Sequence, residues 1–303
     1  MKLDSIDNWL KCAEAGGLRL SDIVLSVQAE ELELPPDSLL QKTESAWLAM
    51  LESIEHGLEP SLRSESGFVG GGAARIQAAC KKNILCDCGV MNHAMVYAMA
   101  AAEYNACMGK ICAAPTAGSC GILPGVLKSL AERYHPERER TIYALLTASG
   151  VGMVIAERAN LSGAEGGCQA ECGSASAMAA AAAVELMEGT PRMAANAASI
   201  ALMSVMGLVC DPVAGLVECP CVKRNASGAA NALAAANMAL SGIESIIPPD
   251  EVIGAMKQVG DMMNPSLKET SLAGLAGTPT GMAIAQKQKE TITCQAKKHF
   301  GLD

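Results

Sequence analysis

Long apolar stretches with a helical period dominate the chain, and short segments rich in Gly or Pro separate them. Three helices are predicted in the first 60 residues, starting near Ser5, Ser21 and Ser38, before Gly57 and Pro60 end the third. No segment alternates polar and apolar residues over a useful length, and no strand–helix–strand rhythm is visible. The pattern therefore predicts an all-α fold, with further helices near residues 91–108, 124–134, 138–149, 151–159, 174–188, 192–208, 225–241 and 248–263.

The same pattern divides the chain into three predicted parts. Residues 1–60 form a helical preface packed on the core, residues 61–282 one large helical domain, and residues 283–303 a polar C-terminal tail. In the third helix Trp47 falls at helical spacing with other apolar residues. Both tryptophans of the chain are therefore interpreted as packing residues.

Composition excludes two kinds of partner. A net charge of −9 argues against nucleic acid, whose binding needs a basic surface. Two uncharged runs, residues 193–210 and 225–242, are long enough to span a membrane, but they contain Asn, Ser and many Ala residues. We interpret them as buried helices of a soluble protein, and no membrane partner is expected.

The chain has 13 cysteines and no amino-terminal signal segment. This combination is typical of a protein in a reducing cytoplasm rather than of a disulfide scaffold. Most of the thiols are expected to be small buried hydrophobes, and we interpret Cys12, Cys80 and Cys112 in this way.

Two glycine-containing loops could bind an anion. Residues 64–72 could cradle one with backbone N–H groups, although they lack the Lys-Ser ending of a nucleotide-binding loop, and a flexible connector explains them nearly as well. Residues 113–125 combine Gly with the hydroxyls of Thr116 and Ser119 and with Pro124, which suits the first turn of a helix. Free N–H groups at such a helix start bind carboxylate or phosphate. A tight turn would explain the Gly and Pro residues but not the hydroxyls.

The loop over residues 165–176 is the centre of the predicted chemistry, with Ser174 as a candidate cap of the helix that follows. Cys168, Cys210 and Cys221 all lie in loops containing Gly or Pro between apolar helices, where their thiols can converge. No close C-x-x-C pair marks a zinc or ferredoxin site. The acidic neighbours Glu171, Asp211 and Glu218 would not stabilise bare thiolates, but a bound cation would. We therefore expect a soft metal centre.

Three thiolate ligands on a four-iron cluster would leave one iron open as a Lewis acid. Such an iron can bind a substrate hydroxyl and make it a better leaving group, which suits dehydration of a hydroxy acid. The pyridoxal phosphate route to the same chemistry needs a Schiff-base lysine in a phosphate-binding fold. No such arrangement is visible, so pyridoxal phosphate is not expected.

Five segments together resemble the α, or catalytic, part of the bacterial iron–sulfur L-serine dehydratases. They are residues 115–125, 165–171, 210–217, 220–221 and 264–270, in the family's order, and the resemblance covers roughly residues 60–282. It implies an all-helical catalytic domain, a [4Fe-4S] cluster, and conversion of L-serine to pyruvate and ammonia in amino-acid catabolism and gluconeogenesis. The family's cluster ligands correspond to Cys168, Cys210 and Cys221. Cys172 and Cys219 are extra thiols nearby with no assigned role.

The mechanism expected from this resemblance needs a carboxylate site and a base. The open iron would bind the serine hydroxyl. The carboxylate would be oriented by a loop consisting of Thr116, Ala117, Gly118, Ser119 and Gly121. The base that removes the α-proton has three candidates on chemistry alone, Lys268, Glu269 and His93. A lone histidine such as His93 is more often structural.

Two departures from the family pattern matter. Single-chain relatives carry a second domain with a Gly-Pro-Ser-Ser-Ser-His-Thr segment, which is absent here, so a separate β subunit is predicted. Some relatives also end in a cysteine that occupies the open iron, whereas here the last cysteine, Cys294, lies inside the polar tail. Two alternatives stay open: an iron–sulfur hydro-lyase for threonine or a dicarboxylate, and a helical metal-binding subunit without turnover.

Overall fold

The computed structural model describes residues 4–86 and 88–300, without the side chains of residue 292 and residues 294–300. Within these residues it contains thirteen α-helices and no strand, so the all-α prediction is confirmed. Single turns of 3₁₀ helix follow the fifth, tenth and twelfth helices, and a π-helical turn precedes the ninth. The helices are α1 Ile6–Gly16, α2 Leu20–Glu31, α3 Pro36–Gly57, α4 Gly72–Lys81, α5 Val90–Ala106, α6 Ile122–Tyr134, α7 Arg138–Arg158, α8 Gly163–Gly166, α9 Ser174–Leu186, α10 Pro191–Met203, α11 Cys221–Leu240, α12 Pro249–Met262 and α13 Pro279–Phe300.

Helix α9 is the centre of the packing. Every residue of α9 except Glu185 is buried, and its neighbours are α6, α7, α10 and α11. A helix that is apolar on all sides is stable only when other helices surround it. Because seven of its thirteen residues are alanine, the surrounding helices can approach closely. The chain reaches the candidate site through the turn that starts α9.

The amino-terminal helices share this core rather than forming one of their own. Trp9 and Trp47 are 0% and 5% exposed and belong to the same apolar cluster as α9, so their predicted packing role is confirmed. Helix α1 contacts α10, α2 contacts α7, and α3 contacts α5. The division into three parts stays a prediction.

The helix-start signals were less reliable than the helices themselves. Helix α2 begins at Leu20 after Arg19, whose N–H donates to Asp22 Oδ2 at 3.0 Å, so Ser21 is not the cap. Helix α3 begins at Pro36, before Ser38. Ser174 is not a cap either, because the π-helical turn Gln169–Gly173 runs directly into α9 and the helix has no free start there.

The helix break predicted at Gly150 is absent, because this glycine permits close packing of helices instead. The pattern suggested two helices separated at Gly150, but α7 runs without interruption from Arg138 to Arg158. A Cβ on Gly150 would lie 2.5 Å from the ring of Trp9 and 2.6 Å from Val24. The glycine therefore permits α7 to approach α1 and α2 rather than ending the helix.

Two helices had no clear sequence signal. Helix α4 follows directly from the glycine-rich loop, and α13 covers most of the predicted polar tail. The side chain of Cys294 lies outside the described residues, so its relation to the metal centre stays a prediction. Of the described helices, none has the length and apolar character needed to cross a bilayer.

The expectation for the peripheral cysteines was partly wrong. Cys12 is exposed, and Cys80 and Cys112 are half-buried, so none of the three is a fully buried hydrophobe. Cys12 lies on α1, which is amphipathic and turns this position away from the core.

Candidate functional site

Four thiols meet where the loops between helices converge; we call Cys168, Cys172, Cys210 and Cys221 the thiol cluster. Cys168 precedes the π-helical turn, Cys210 follows α10, and Cys221 begins α11. All four are less than 10% exposed. Burial, then the charges of Cys168 and Glu171, raise the pKa of Cys221 to about 12. Burial, then Glu171 and Cys168, also raise the pKa of Cys210. The three predicted ligands are thus electrostatically coupled.

Cys168 differs from the other thiols because donors surround it. Its Sγ lies 3.4 Å from Cys172 Sγ, and this thiol hydrogen bond, with help from the Arg224 charge, lowers its pKa. Arg224 is held in place by Asp211 Oδ1 at 2.8 Å and by the Val209 carbonyl at 2.8 Å. The buried ion pair therefore places a fixed cation beside the cysteine whose thiolate is most favoured.

Glu171 connects the thiol cluster with the predicted carboxylate loop. Thr116 Oγ1 donates to Glu171 Oε1 at 3.0 Å, and Cys210 Sγ lies 3.9 Å from Glu171 Oε2. Burial raises the pKa of Glu171, and the charge of Glu269 raises it further. One carboxyl group thus contacts the loop over residues 116–121 and a thiol that were predicted independently.

The 116–121 loop is fixed from behind by Asn225. The Asn225 Nδ2 donates to the carbonyls of Gly118 at 2.7 Å and Cys221 at 3.0 Å, and its Oδ1 accepts from Gly121 N at 2.9 Å. A Cβ on Gly121 would lie 2.0 Å from the Ala98 carbonyl oxygen, so this glycine permits close approach to α5. The Gly121 N–H therefore serves the loop's own geometry, while Thr116, Ala117 and Gly118 stay at least partly exposed.

The segment of residues 264–278 lies against Cys210 and carries two predicted bases. Cys210 N donates to the Leu267 carbonyl at 2.9 Å, and Glu269 N donates to the Cys210 carbonyl at 2.7 Å. Leu275 N donates to Asp211 Oδ2 at 2.7 Å. Lys268 and Glu269 are consequently held beside the thiol cluster by backbone bonds, with Lys268 half-buried and Glu269 exposed.

The third candidate base is placed elsewhere. His93 lies on α5 and lines a cavity of about 520 Å³ with Cys80, Asn83, Asn92 and Arg133, among others. None of the residues that line this cavity belongs to the thiol cluster or to the 116–121 loop. The structure therefore groups Lys268 and Glu269 with the thiols, and His93 with a different surface.

Three residues of the site were not predicted to act in it. Glu171 was noted only as an acidic neighbour of a thiol, Arg224 was not considered, and Asn225 was interpreted as the start of an apolar helix. The available signal was the pair of polar residues, Arg224 and Asn225, at the start of an Ala-rich helix, because polar groups packed inside a protein need partners. Their partners lie 13 to 107 positions away along the chain, which no local pattern reveals.

The donor set suits a cluster better than a single ion. No three His, Cys, Asp or Glu side chains in the described part of the chain are placed to hold one metal ion. In an iron–sulfur cluster each thiolate binds a different iron, so the thiols need not meet at one point. Soft thiolate donors are the usual ligands of such clusters. The buried thiols beside Glu171 also gain from a cation, because burial and the carboxyl group otherwise disfavour their ionised forms.

Comparison with known proteins identifies the family of the chain. Residues 15–276 match the family model described as serine dehydratase alpha chain, so the match includes much of the amino-terminal preface. The probable L-serine dehydratase alpha chain of Bacillus subtilis is 47% identical over 268 residues, covering 88% of this chain and 89% of the relative. The L-serine dehydratase alpha chain of Peptoniphilus asaccharolyticus is 46% identical over 270 residues, covering 88% and 92%. The L-serine dehydratase TdcG of Escherichia coli is 35% identical over 282 residues, covering 90% of this chain but 61% of the relative.

Proposed function

The chain belongs to the serine dehydratase alpha-chain family, and from that premise we propose that it is an L-serine ammonia-lyase that forms pyruvate and ammonia. The observation that carries the proposal is the contact of Glu171 with both Thr116 and Cys210. This contact joins the 116–121 loop, to which we assign the substrate carboxylate, to buried thiols, and dehydration of a small hydroxy acid needs these two groups side by side. The names of the alpha-chain relatives supply the substrate, L-serine.

The cofactor we propose is a [4Fe-4S] cluster held by Cys168, Cys210 and Cys221, without pyridoxal phosphate. When bound, such a cluster supplies a Lewis acid that makes a hydroxyl a better leaving group. Arg224 and Asp211 fix the surroundings of Cys168, and the backbone of Cys210 is fixed by Leu267 and Glu269. The thiols need a reducing compartment to stay available, so we place the enzyme in the cytoplasm.

Substrate binding is assigned to the half-open face of the 116–121 loop. The Thr116 hydroxyl, which donates to Glu171 in the free chain, can turn to donate to a carboxylate, and the buried Ser119 hydroxyl 3.0 Å away can then donate to Thr116. Asn225 keeps the loop rigid, so the entropy cost of forming this site is met by folding rather than by binding. Ala117 and Gly118 complete the loop, and Gly121 sets its distance from α5.

Proton removal is assigned to the segment of residues 264–278. Lys268 or Glu269 removes the proton from Cα, the Cβ–O bond breaks, and the hydroxyl leaves as water after gaining a proton. The resulting enamine tautomerises to an imine, and water hydrolyses the imine to pyruvate and ammonia. His93 is the least favoured base because it lines a separate cavity.

A separate β subunit completes the enzyme in this proposal. The match covers 89% and 92% of two relatives named as alpha chains, but 61% of the longer Escherichia coli relative. Beside the thiol cluster, Val217, Leu272 and Leu275 are 38%, 73% and 45% exposed. Apolar side chains exposed next to a site are typical of a surface that a partner covers.

The test is anaerobic reconstitution. The chain is loaded with iron and sulfide, and pyruvate release from L-serine, L-threonine and hydroxy dicarboxylates is measured with and without the β subunit. We expect serine-dependent turnover only with both chains. Full turnover by the isolated chain would show that no β subunit is required. Turnover of L-threonine or a hydroxy dicarboxylate without turnover of L-serine would favour a different hydro-lyase.

Single replacements separate the cofactor from the fold. Cys168→Ser, Cys210→Ser or Cys221→Ser should each remove the visible cluster absorption and the activity, because each ligand binds its own iron. The matched control is Cys12→Ser, at an exposed thiol on α1, which should change neither. One zinc per chain and no turnover would instead indicate a structural metal subunit.

A further inference from the structure

Cys172 has no role in the proposed reaction, but it lies in contact with Cys168, a proposed cluster ligand. Its Sγ lies 3.4 Å from Cys168 Sγ, one helical turn away in the π-helical turn that leads into α9. Both residues are buried, 4% and 2% exposed, in the same apolar cluster. The turn therefore holds the two sulfurs in direct contact.

We propose that Cys168 and Cys172 form a reversible disulfide when the cluster is lost, so that Cys172 protects a cluster ligand from irreversible oxidation. The inference rests on the proposed function in one respect, the assignment of Cys168 as a ligand. An S–S bond is about 2.05 Å long, so forming it from the 3.4 Å contact requires the two side chains to rotate and the turn between them to tighten. Cys210, in contrast, faces the Glu171 carboxylate at 3.9 Å.

The chemistry balances with a peroxide as the oxidant. One thiolate attacks an oxygen of hydrogen peroxide, the O–O bond breaks, and a sulfenic acid and hydroxide form. The second thiol then attacks the sulfenic sulfur, the S–O bond breaks, and water leaves as the S–S bond forms. In sum, two thiols and one peroxide give one disulfide and two waters.

The consequence concerns repair of the site. A sulfenic acid without a neighbouring thiol is oxidised further to sulfinic acid, which ordinary thiol reductants do not reverse. A disulfide is reversed by thiol exchange. Cys172 therefore keeps Cys168 recoverable, while the disulfide itself prevents the cluster from assembling until a reductant opens it.

Peptide mass measurement tests the proposal directly. Trypsin releases residues 159–192 as one peptide that contains Cys168, Cys172 and no other cysteine. The full chain is freed of iron by chelation without oxygen, treated with dilute hydrogen peroxide, alkylated and digested. We expect this peptide to be lighter by two hydrogen atoms and unalkylated, and to return to the dialkylated form if dithiothreitol precedes alkylation.

Two variants make the test specific. In Cys172→Ala the same treatment should leave Cys168 as a sulfenic acid that dimedone traps, or as sulfinic acid, and reductant should no longer restore iron uptake. In the matched control Cys219→Ala, which removes another nearby thiol, the disulfide should form as in the unaltered chain. Iron uptake by untreated Cys172→Ala should equal that of the unaltered chain.

Three outcomes would overturn the proposal. They are a dialkylated peptide after peroxide while other cysteines are oxidised, equal disulfide formation with the cluster still bound, and loss of iron uptake in untreated Cys172→Ala, which would make Cys172 a ligand. These readouts need no turnover. Failure of the reconstituted chain to deaminate serine even with the β subunit, together with formation of the disulfide, would refute the proposed function and leave this inference standing.

Discussion

Two loops of this chain carry hydrogen-bond donors that suit an anion. The 64–72 loop binds a carboxylate of the protein itself, whereas the 116–121 loop is proposed to bind the carboxylate of a ligand. In the 64–72 loop the backbone N–H groups of Gly70 and Gly72, with that of Ala73, donate to the Glu103 carboxylate at 3.3, 3.0 and 3.1 Å. Glu103 is 1% exposed and Gly70–Ala73 are buried. The anion of this loop is therefore part of the protein.

The 116–121 loop also contacts a carboxyl group of the protein, but only through one hydroxyl. Thr116 donates to Glu171, and the loop is half-open to solvent. The partly exposed backbone of Ala117 and Gly118 can thus receive an incoming carboxylate, whereas the N–H groups of Gly70, Gly72 and Ala73 are bonded to Glu103. A glycine-rich pattern indicates that a loop can bind an anion, and the packing around it decides whether that anion is a ligand.

The largest effect is expected from removing the carboxylate of Glu103, which the 64–72 loop binds. Glu103→Ala leaves three buried N–H groups without an acceptor, and each costs about 1–3 kcal/mol. We expect the free energy of unfolding to fall by about 3 kcal/mol or more, measured by urea denaturation.

Glu103→Gln is the control, because it keeps one acceptor oxygen and should lose roughly half as much. A Cβ on Gly72 would lie 2.5 Å from Glu103 Oε1, so Gly72→Ala should destabilise in the same direction. Unchanged stability in Glu103→Ala would mean that water satisfies the loop and that it is a flexible connector after all.

The second prediction concerns the carboxyl group of the other loop. Glu171→Ala removes the acceptor of Thr116 and the neighbour of Cys210. A hydrogen bond to a charged group contributes about 1.5–3 kcal/mol, so kcat/KM for serine should fall about 10- to 100-fold.

The division of this effect between kcat and KM distinguishes two roles of Glu171. If Glu171 positions Thr116, Glu171→Gln should recover most of the loss and the change should fall mainly on KM. If Glu171 is itself the base, Gln and Ala should be equally inactive and kcat should fall. The matched comparisons are Glu269→Gln and Lys268→Gln, one of which should lower kcat far more than KM.

What the sequence could predict follows the range of the interactions. Helix α9 was predicted, near residues 174–188, because an Ala-rich run is a local property of the sequence. The thiols were found because cysteine chemistry is recognisable residue by residue. The bond between Thr116 and Glu171 joins residues 55 positions apart, and that between Asn225 and Gly118 joins residues 107 apart, so neither had a local signal.

Failures of the sequence prediction have the same cause. Gly150 was taken for a helix break because a glycine in a helix usually weakens it, but Trp9 from α1 occupies the space where a side chain would be. Ser174 was taken for a cap because capping patterns describe free helix starts, and this start continues a π-helical turn. In both cases a tertiary contact or a preceding turn replaced the local rule.

A third prediction tests the 116–121 loop with a smaller change. Thr116→Val removes the hydroxyl that bonds Glu171 and Ser119 while keeping the shape of the side chain. We expect KM for serine to rise about tenfold, equivalent to about 1.4 kcal/mol, with iron content unchanged. The free energy of unfolding should fall by about 1–2 kcal/mol, because Glu171 loses a hydrogen-bond donor. Thr116→Ser should behave like the unaltered chain. Loss of the cluster in Thr116→Val would show that the loop is structural.

The smallest effect is expected from removing the hydroxyl of Ser66 in the 64–72 loop. Ser66 Oγ donates to Glu218 Oε2 at 2.6 Å and accepts from Phe68 N at 3.0 Å, but Ser64 Oγ donates to the same Glu218 oxygen at 2.6 Å. Because Ser64 keeps Glu218 satisfied, Ser66→Ala should lower the free energy of unfolding by only about 1 kcal/mol and leave KM for serine unchanged. Urea denaturation and serine kinetics of Ser66→Ala and Thr116→Val, measured side by side, should differ in KM. Ser66→Ala should affect stability alone, and Thr116→Val should also raise KM for serine. A rise in KM in Ser66→Ala would place the 64–72 loop in the substrate site and remove the distinction between the two loops.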